Sequence, residues 1–260
     1  MISKNKLKDL AAYRQQRRCD EEAVFVVEGP KLCGEALVSG FTVRVVCATA
    51  EWLSANAIDA VPECYEVSQA ELERLSNMRT PNQVWMLLER PDNSSFITNH
   101  SSLVLALDRI QDPGNLGTMM RTADWYGIRH IVCSPDTVSC YNPKVVQASM
   151  GAVFRTRVEY VDLPQWLAAC GMPVFGASLQ GEPLAHSDIG ASVHSPAVLL
   201  IGNESRGIGP EAMEHVTHPV LIPNIGGTAE SLNASVAAGI LIHLLCSARE
   251  CRGVQGSARQ

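Results

Sequence analysis

Two short apolar runs, Leu103-Val104-Leu105-Ala106-Leu107 and Val198-Leu199-Leu200-Ile201, carry no alternation of apolar and polar residues. A strand of that kind is buried on both faces, so it belongs to a mostly parallel sheet covered by helices on each side. Further strands are expected at Leu103–Leu107, His130–Cys133, Pro173–Ala177, Ala197–Ile201 and Pro219–Ile222, alternating with helices at Asn115–Tyr126, Lys144–Met150, Leu163–Cys170, Gly209–His215 and Ser231–Arg249. In such α/β folds, ligands bind in the turns at the carboxyl ends of the strands. Three turns here are polar and glycine-bearing. The first runs from Asp112-Pro113-Gly114-Asn115-Leu116-Gly117 to Arg121-Thr122-Ala123, the second from Ile201-Gly202-Asn203-Glu204 to Gly207, and the third from Ile222-Pro223 to Ser231-Leu232-Asn233-Ala234-Ser235. Three such turns in one domain point to one composite site.

The first 90 residues form a separate, smaller α/β pattern. Leu7 to Arg18 reads as a basic helix, Ala23–Glu28, Thr42–Ala48 and Asn82–Glu89 as strands, and Lys31–Ser39, Glu51–Ala57 and Ser68–Asn77 as helices. Ser68 with Glu71 three residues later fits a capping box. Pro91-Asp92-Asn93-Ser94-Ser95 is turn-rich and polar. It sets the expected division into domains 1–96 and 97–260.

Composition narrows the functional classes. Of the 260 residues, 46% are hydrophobic and 18% charged, which fits a soluble globular chain. The longest apolar stretch, Val236–Cys246, falls short of the roughly 18 residues that span a bilayer. The opening MISKNKLKDL has no apolar core of a secretory signal, so a cytoplasmic location without membrane contact is expected. Nine scattered cysteines form no C-x-x-C pair. They read as reduced core thiols, with no metal site. The net charge is −6, yet residues 1–18 hold six Lys/Arg and one acid, a local +5 on an otherwise acidic body. That is either an RNA-contacting arm or a solubilising, partly disordered terminus.

Within the three turns, Gly114 and Gly117 permit a tight strand-to-helix junction, and the helix start beyond is a natural anion site. Arg121 could grip a phosphate bidentately or sit in a surface ion pair. Glu204 could cap a helix or position a hydroxyl. Ser231 and Asn233 suit the N-cap region of the last helix. A G-x-G-x-x-G turn is absent, which argues against a dinucleotide-dependent enzyme.

In order and spacing, the three turns resemble the signature motifs of the SpoU/TrmH-type RNA ribose 2′-O-methyltransferases of the SPOUT superfamily. Asn115-x-Gly117-x-x-x-Arg121-Thr122-Ala123 is similar to the first motif, Gly202-x-Glu204-x-x-Gly207 to the second, and Ile222-Pro223 with Ser231-Leu232-Asn233-x-Ser235 to the third. The similarity covers about residues 103–246. The stretch Phe25-Val26-Val27-Glu28-Gly29 with Lys31 resembles the family's L30e-like substrate-binding domain. The resemblance implies an α/β catalytic domain with a deep C-terminal trefoil knot, a homodimer through that domain, S-adenosylmethionine as cofactor, and ribosomal or transfer RNA as substrate. It implies main-chain contacts to the cofactor from Gly202, Ile222 and Leu232. Leu200, Ile201, Asn203, Gly207 and Pro223 would complete the pocket. Arg121 would bind the phosphate next to the target ribose, with Asn115, Glu204, Ser231 and Asn233 orienting it and the substrate. A catalytically silent RNA-binding or ribosome-assembly protein on the same fold is the alternative. The family often has Ile-Pro-Met-x-Gly where this chain has Ile222-Pro223-Asn224-Ile225-Gly226-Gly227, a loop one residue longer.

Overall fold

The structure, a computed structural model, describes residues 2–91, 103–184 and 196–256, with backbone only for 248–256. The polar stretch at 92–95 lies outside the described residues. The chain divides into two compact units, Met1–Ser95 with Ser139–Arg155, and Phe96–Val138 with Thr156–Gln260.

The first unit is a four-stranded mixed sheet in the order β1-β4-β2-β3, formed by β1 (Val24–Glu28), β2 (Val43–Ala48), β3 (Glu63–Glu66) and β4 (Val84–Glu89). Only β2 and β3 pair in parallel. Val24, Val26, Val45, Trp85 and Leu87 face one core, shared with Leu72 and Leu75 of helix α5 (Gln69–Leu75). Phe25, on the alternate face of β1, meets Tyr141 and Phe154 at ring-centroid distances of 4.7 and 6.4 Å. That aromatic contact draws residues 139–155, including helix α7 (Pro143–Ser149), into this unit. The Ser68–Glu71 capping box is present in both its halves.

Two expectations are corrected here. The basic helix is not continuous over 7–18. It breaks into α1 (Lys4–Ala11), a 3₁₀ turn (Ala12–Arg14) and α2 (Gln16–Glu21), because Gln15 is extended. It is also no loose arm: Leu7, Leu10 and Tyr13 sit in the core, and Lys6 and Arg18 pair with Glu63 and Glu22 at 2.6 Å each. Strand β3, reading Glu-Cys-Tyr-Glu, was not expected, since an edge strand with alternating exposure carries no apolar run.

The second unit is a six-stranded sheet in the order β10-β8-β9-β5-β6-β7, parallel throughout. Its strands are β5 (Leu103–Leu107), β6 (His130–Cys133), β7 (Arg157–Tyr160), β8 (Val174–Pro183), β9 (Ala197–Ile201) and β10 (His218–Leu221). The central pair β5 and β9 is buried at every position and runs in register from Leu103↔Ala197 to Leu107↔Ile201. Val104, Ala106, Val198 and Leu200 face a core made with Leu163 and Leu167 of α8 (Leu163–Ala169) and Ala212 of α9 (Pro210–Met213). Helix α6 (Pro113–Trp125) packs on the long final helix α10 (Ala234–Gly256), which also packs on β9. The edge strand β7, reading Arg-Val-Glu-Tyr, escaped sequence reading for the same reason as β3. No described helix is long and apolar enough to cross a membrane.

Candidate active site

All three turns leave the carboxyl ends of parallel strands: the first follows β5, the second β9 and the third β10. The first opens with Asp112, an extended residue whose carboxylate accepts the Asn115 amide at 2.8 Å, with Pro113 as the first helical residue. Helix α6 therefore starts two residues earlier than its glycines suggested. Asn115 enters the first turn with only 8% of its surface exposed.

The second turn doubles back on itself. Asn203 and Gly207 exchange two main-chain hydrogen bonds of 3.1 and 2.8 Å, and Gly207 holds φ +65, a conformation costly for residues with a Cβ. Gly202 lies so close to the returning chain that a Cβ there would sit 2.2 Å from the Gly207 carbonyl carbon and 2.3 Å from the Ile208 nitrogen. The loop is hung from two consecutive residues at the end of β5. The Asn203 carboxamide donates to the Arg109 carbonyl at 3.0 Å, and the Gly209 amide donates to the buried Asp108 carboxylate at 2.7 Å. Arg109 adopts φ +57, and its amide donates to Ser134 Oγ. Sequence reading singled out neither Asp108 nor Arg109. Asp108 works through the Gly209 amide and Arg109 through its own carbonyl, each with a partner about a hundred positions away that no local pattern records.

The third turn is held by Asn224. Its Oδ1 accepts the amides of Gly226 and Gly227 at 3.0 and 2.7 Å, and its Nδ2 donates to the carbonyls of Gly227 and Ala229. Asn224 thus organises the turn from 224 to 229. Among the described residues, no main-chain group from Ile222 to Leu232 bonds to another main-chain group. Apart from the four groups that Asn224 takes, the loop therefore presents main-chain amides and carbonyls without a hydrogen bond among the described residues. Asn233, not Ser231, caps the final helix, with its Oδ1 accepting the amides of Ser235 and Val236 at 2.9 and 3.3 Å.

One chain of side-chain hydrogen bonds joins the three turns. Asn233 Nδ2 donates to Asn115 Oδ1 at 2.9 Å, and Asn115 Nδ2 donates to Glu204 Oε1. The ends fix its direction. Main-chain amides can only donate and a carboxylate oxygen accepts, so both carboxamides have one permitted orientation. Glu204 is thereby held, through two amides, to the positive end of the final helix.

The chain matches the SpoU rRNA Methylase family over residues 102–243 and the MRM3-like substrate binding domain over residues 4–85. It belongs to the SpoU rRNA methylase family. A relative in Bacillus subtilis, the 23S rRNA (guanosine(2553)-2′-O)-methyltransferase RlmP, is 31% identical across 92% of this chain and 95% of its own. A TrmH-family putative RNA methyltransferase from Porphyromonas gingivalis superposes with a TM-score of 0.83 at 36% identity, covering 95% of this chain and 98% of that one. The AdoMet-bound rRNA methyltransferase of Sinorhizobium meliloti superposes at 0.81 with 28% identity, covering 94% and 95%.

Of the SpoU-motif residues, the structure brings Asn115, Glu204 and Asn233 into direct contact. Gly202, Asn203 and Gly207 shape the second loop. Leu200 and Ile201 are buried strand residues, and the Leu200 side chain is committed to the core beneath α8 and α9. Ile222, Pro223 and Leu232 lie along the loop of unused main-chain groups. Arg121 and Ser231 are exposed, and neither side chain makes a polar contact among the described residues.

Proposed function

We propose that this protein is an S-adenosylmethionine-dependent methyltransferase acting on a ribose 2′-hydroxyl of ribosomal or transfer RNA. The observation that carries the reading is the Asn233–Asn115–Glu204 chain, which ties three separately encoded turns into one site. The residues present fit the cofactor. The close return of the chain at Gly202 leaves room for main chain but not for a side chain, and the 222–232 loop offers the neutral donors and acceptors that an adenine edge requires. Gly202, Ile222 and Leu232 would hold it by main chain, with Ile201, Asn203, Gly207 and Pro223 around it and Leu200 anchoring the strand end in the core behind. When bound, the cofactor supplies a methyl group on an already activated sulfonium.

The protein's task is then alignment and charge control. A ribose hydroxyl is a poor nucleophile near neutral pH. Arg121, exposed and with no ion pair among the described residues, takes the adjacent phosphate through its planar fork and favours the forming alkoxide. Asn115, fixed by its two hydrogen bonds, and Glu204 position the ribose, and the Ser231 hydroxyl completes the polar rim. In the same reading the C-terminal segment is knotted. A second copy covers exposed apolar side chains on the packed helices α6 and α10, where Trp125 is 85% and Val236 50% exposed. The domains divide functionally as 1–96 for RNA and 97–260 for transfer, except that residues 139–155 belong to the RNA-facing unit. The compartment is the cytoplasm, in keeping with eight free thiols among the described residues.

The test is incubation with methyl-labelled S-adenosylmethionine and total RNA, followed by digestion to nucleosides. The expected product is a 2′-O-methylnucleoside. Bound cofactor without transfer to any RNA overturns the reading in favour of the silent RNA-binding alternative.

A further inference from the structure

The first unit contains a cavity of about 220 Å³ that the transfer site does not use. Its apolar wall comes from Pro30, Leu32, Met78 and Met150. Two of these are methionines, unbranched side chains that adapt to the shape of what they cover. Two carboxamides, Asn82 and Gln147, supply its polar edge. Gln147 donates its Nε2 to the Glu28 carbonyl at 2.9 Å, which fixes its orientation and leaves Oε1 without a hydrogen bond among the described residues. The Asn82 carboxamide is exposed and equally unused. The Glu28 carboxylate, by contrast, is already spent: it accepts Ser76 Oγ and the Asn77 amide.

Charge excludes other ligands. Glu35 on the wall is paired with Arg155 at 2.9 Å, and Lys31, exposed, is the single cation on the lining. A polyphosphate needs more positive charge than that, and an aliphatic chain has no use for two carboxamides. What matches is a flat, uncharged ring with donors and acceptors on its edge and one phosphate beside it. The phosphate side is further served by the start of helix α3 (Pro30–Val38), where Gly29 at φ +91 provides no capping side chain. Sequence-specific proteins commonly read RNA through single-stranded bases splayed from the stack, packed against side chains and hydrogen-bonded at their edges.

We propose that this cavity receives an unstacked nucleobase of the RNA substrate, with Lys31 on its phosphate and Asn82 and Gln147 on its edge. This rests on the RNA reading above. It places Gln147 and Met150, which lie outside the 4–85 substrate-domain match, in the recognition surface.

The experiment uses the full chain labelled with ¹³C at the methionine methyls, titrated with GMP, AMP, CMP and UMP. Met78→Leu and Met150→Leu assign the two cavity signals. Saturable shifts of both, with the buried Met119 and Met120 signals unmoved, are expected. Asn82→Ala and Lys31→Ala should each weaken RNA binding roughly fivefold, the worth of one lost polar contact, with S-adenosylmethionine affinity unchanged. If RNA is methylated while neither cavity methyl moves with any nucleotide, the cavity proposal fails and the activity stands. If the methyls respond but Asn82→Ala and Lys31→Ala both bind RNA as the wild type does, the cavity serves free mononucleotides and the proposal is overturned. If the methyls respond, the variants weaken RNA binding and no methyl is transferred, the cavity stands and the transferase reading falls.

Discussion

Gly202 and Asn115 show how single residues set this site. At Gly202 the returning chain occupies the space a Cβ needs. Gly202→Ala must therefore displace the 203–207 turn, and calorimetry should show loss of S-adenosylmethionine binding; wild-type affinity would refute the cofactor assignment. Asn115 bonds on both sides of its carboxamide, so Asn115→Ala removes the partner of the Asn233 amide and of the Glu204 carboxylate together. Both partners are exposed and water replaces the lost bonds, so the expected stability cost is only about 1 kcal/mol, read by denaturant unfolding, whereas turnover should fall more than tenfold. Glycine and asparagine are ordinary turn residues, so the identities of these residues were legible only because three such motifs occur together in order. Their connection was not legible, since Asn115 and Asn233 meet across 118 positions. Asp108 stayed hidden for the same reason, its partner being the Gly209 amide 101 positions away; Asn224 stayed hidden although its partners are local, because the sequence does not say which nearby amides its side chain accepts.

Among the elements, the doubly buried strands β5 and β9 were readable at sight, because burial on two faces writes an unbroken apolar run. The edge strands β3 and β7 were not, since their charged, half-exposed sequences look like loop. Helix α1 carries the larger lesson. Its positive charge suggested an arm, yet its buried Leu7 and Leu10 make it part of the core. Leu10→Ala should destabilise the first unit by about 2–5 kcal/mol, as measured by denaturant unfolding. Removal of residues 1–18 should accordingly lower the melting temperature before any effect on RNA binding can be read. A truncated protein with unchanged stability would contradict the packing described for α1.

Taken as one molecule, the protein has its eight described free thiols outside the three turns. Burial pushes the Cys47 thiol up to about 12 and the Cys33 thiol well above its ordinary value; partial burial raises Cys64 as well, but its side chain is exposed to reagent. Because the thiolate is the reacting form, iodoacetamide at pH 8 should modify Cys64 in the native protein and reach Cys33 and Cys47 only on unfolding, as peptide mass spectrometry would show. Methyl transfer should survive that native labelling. The claim that unifies the molecule is that its three turns transfer a methyl group to RNA ribose. The most direct measurement maps 2′-O-methylation across ribosomal and transfer RNA in a deletion strain, its parent, and the deletion strain complemented with wild type or Arg121→Ala. The account predicts at least one methylated ribose that disappears on deletion, returns with the wild type and does not return with Arg121→Ala. A methylation map identical in parent and deletion strain would contradict it.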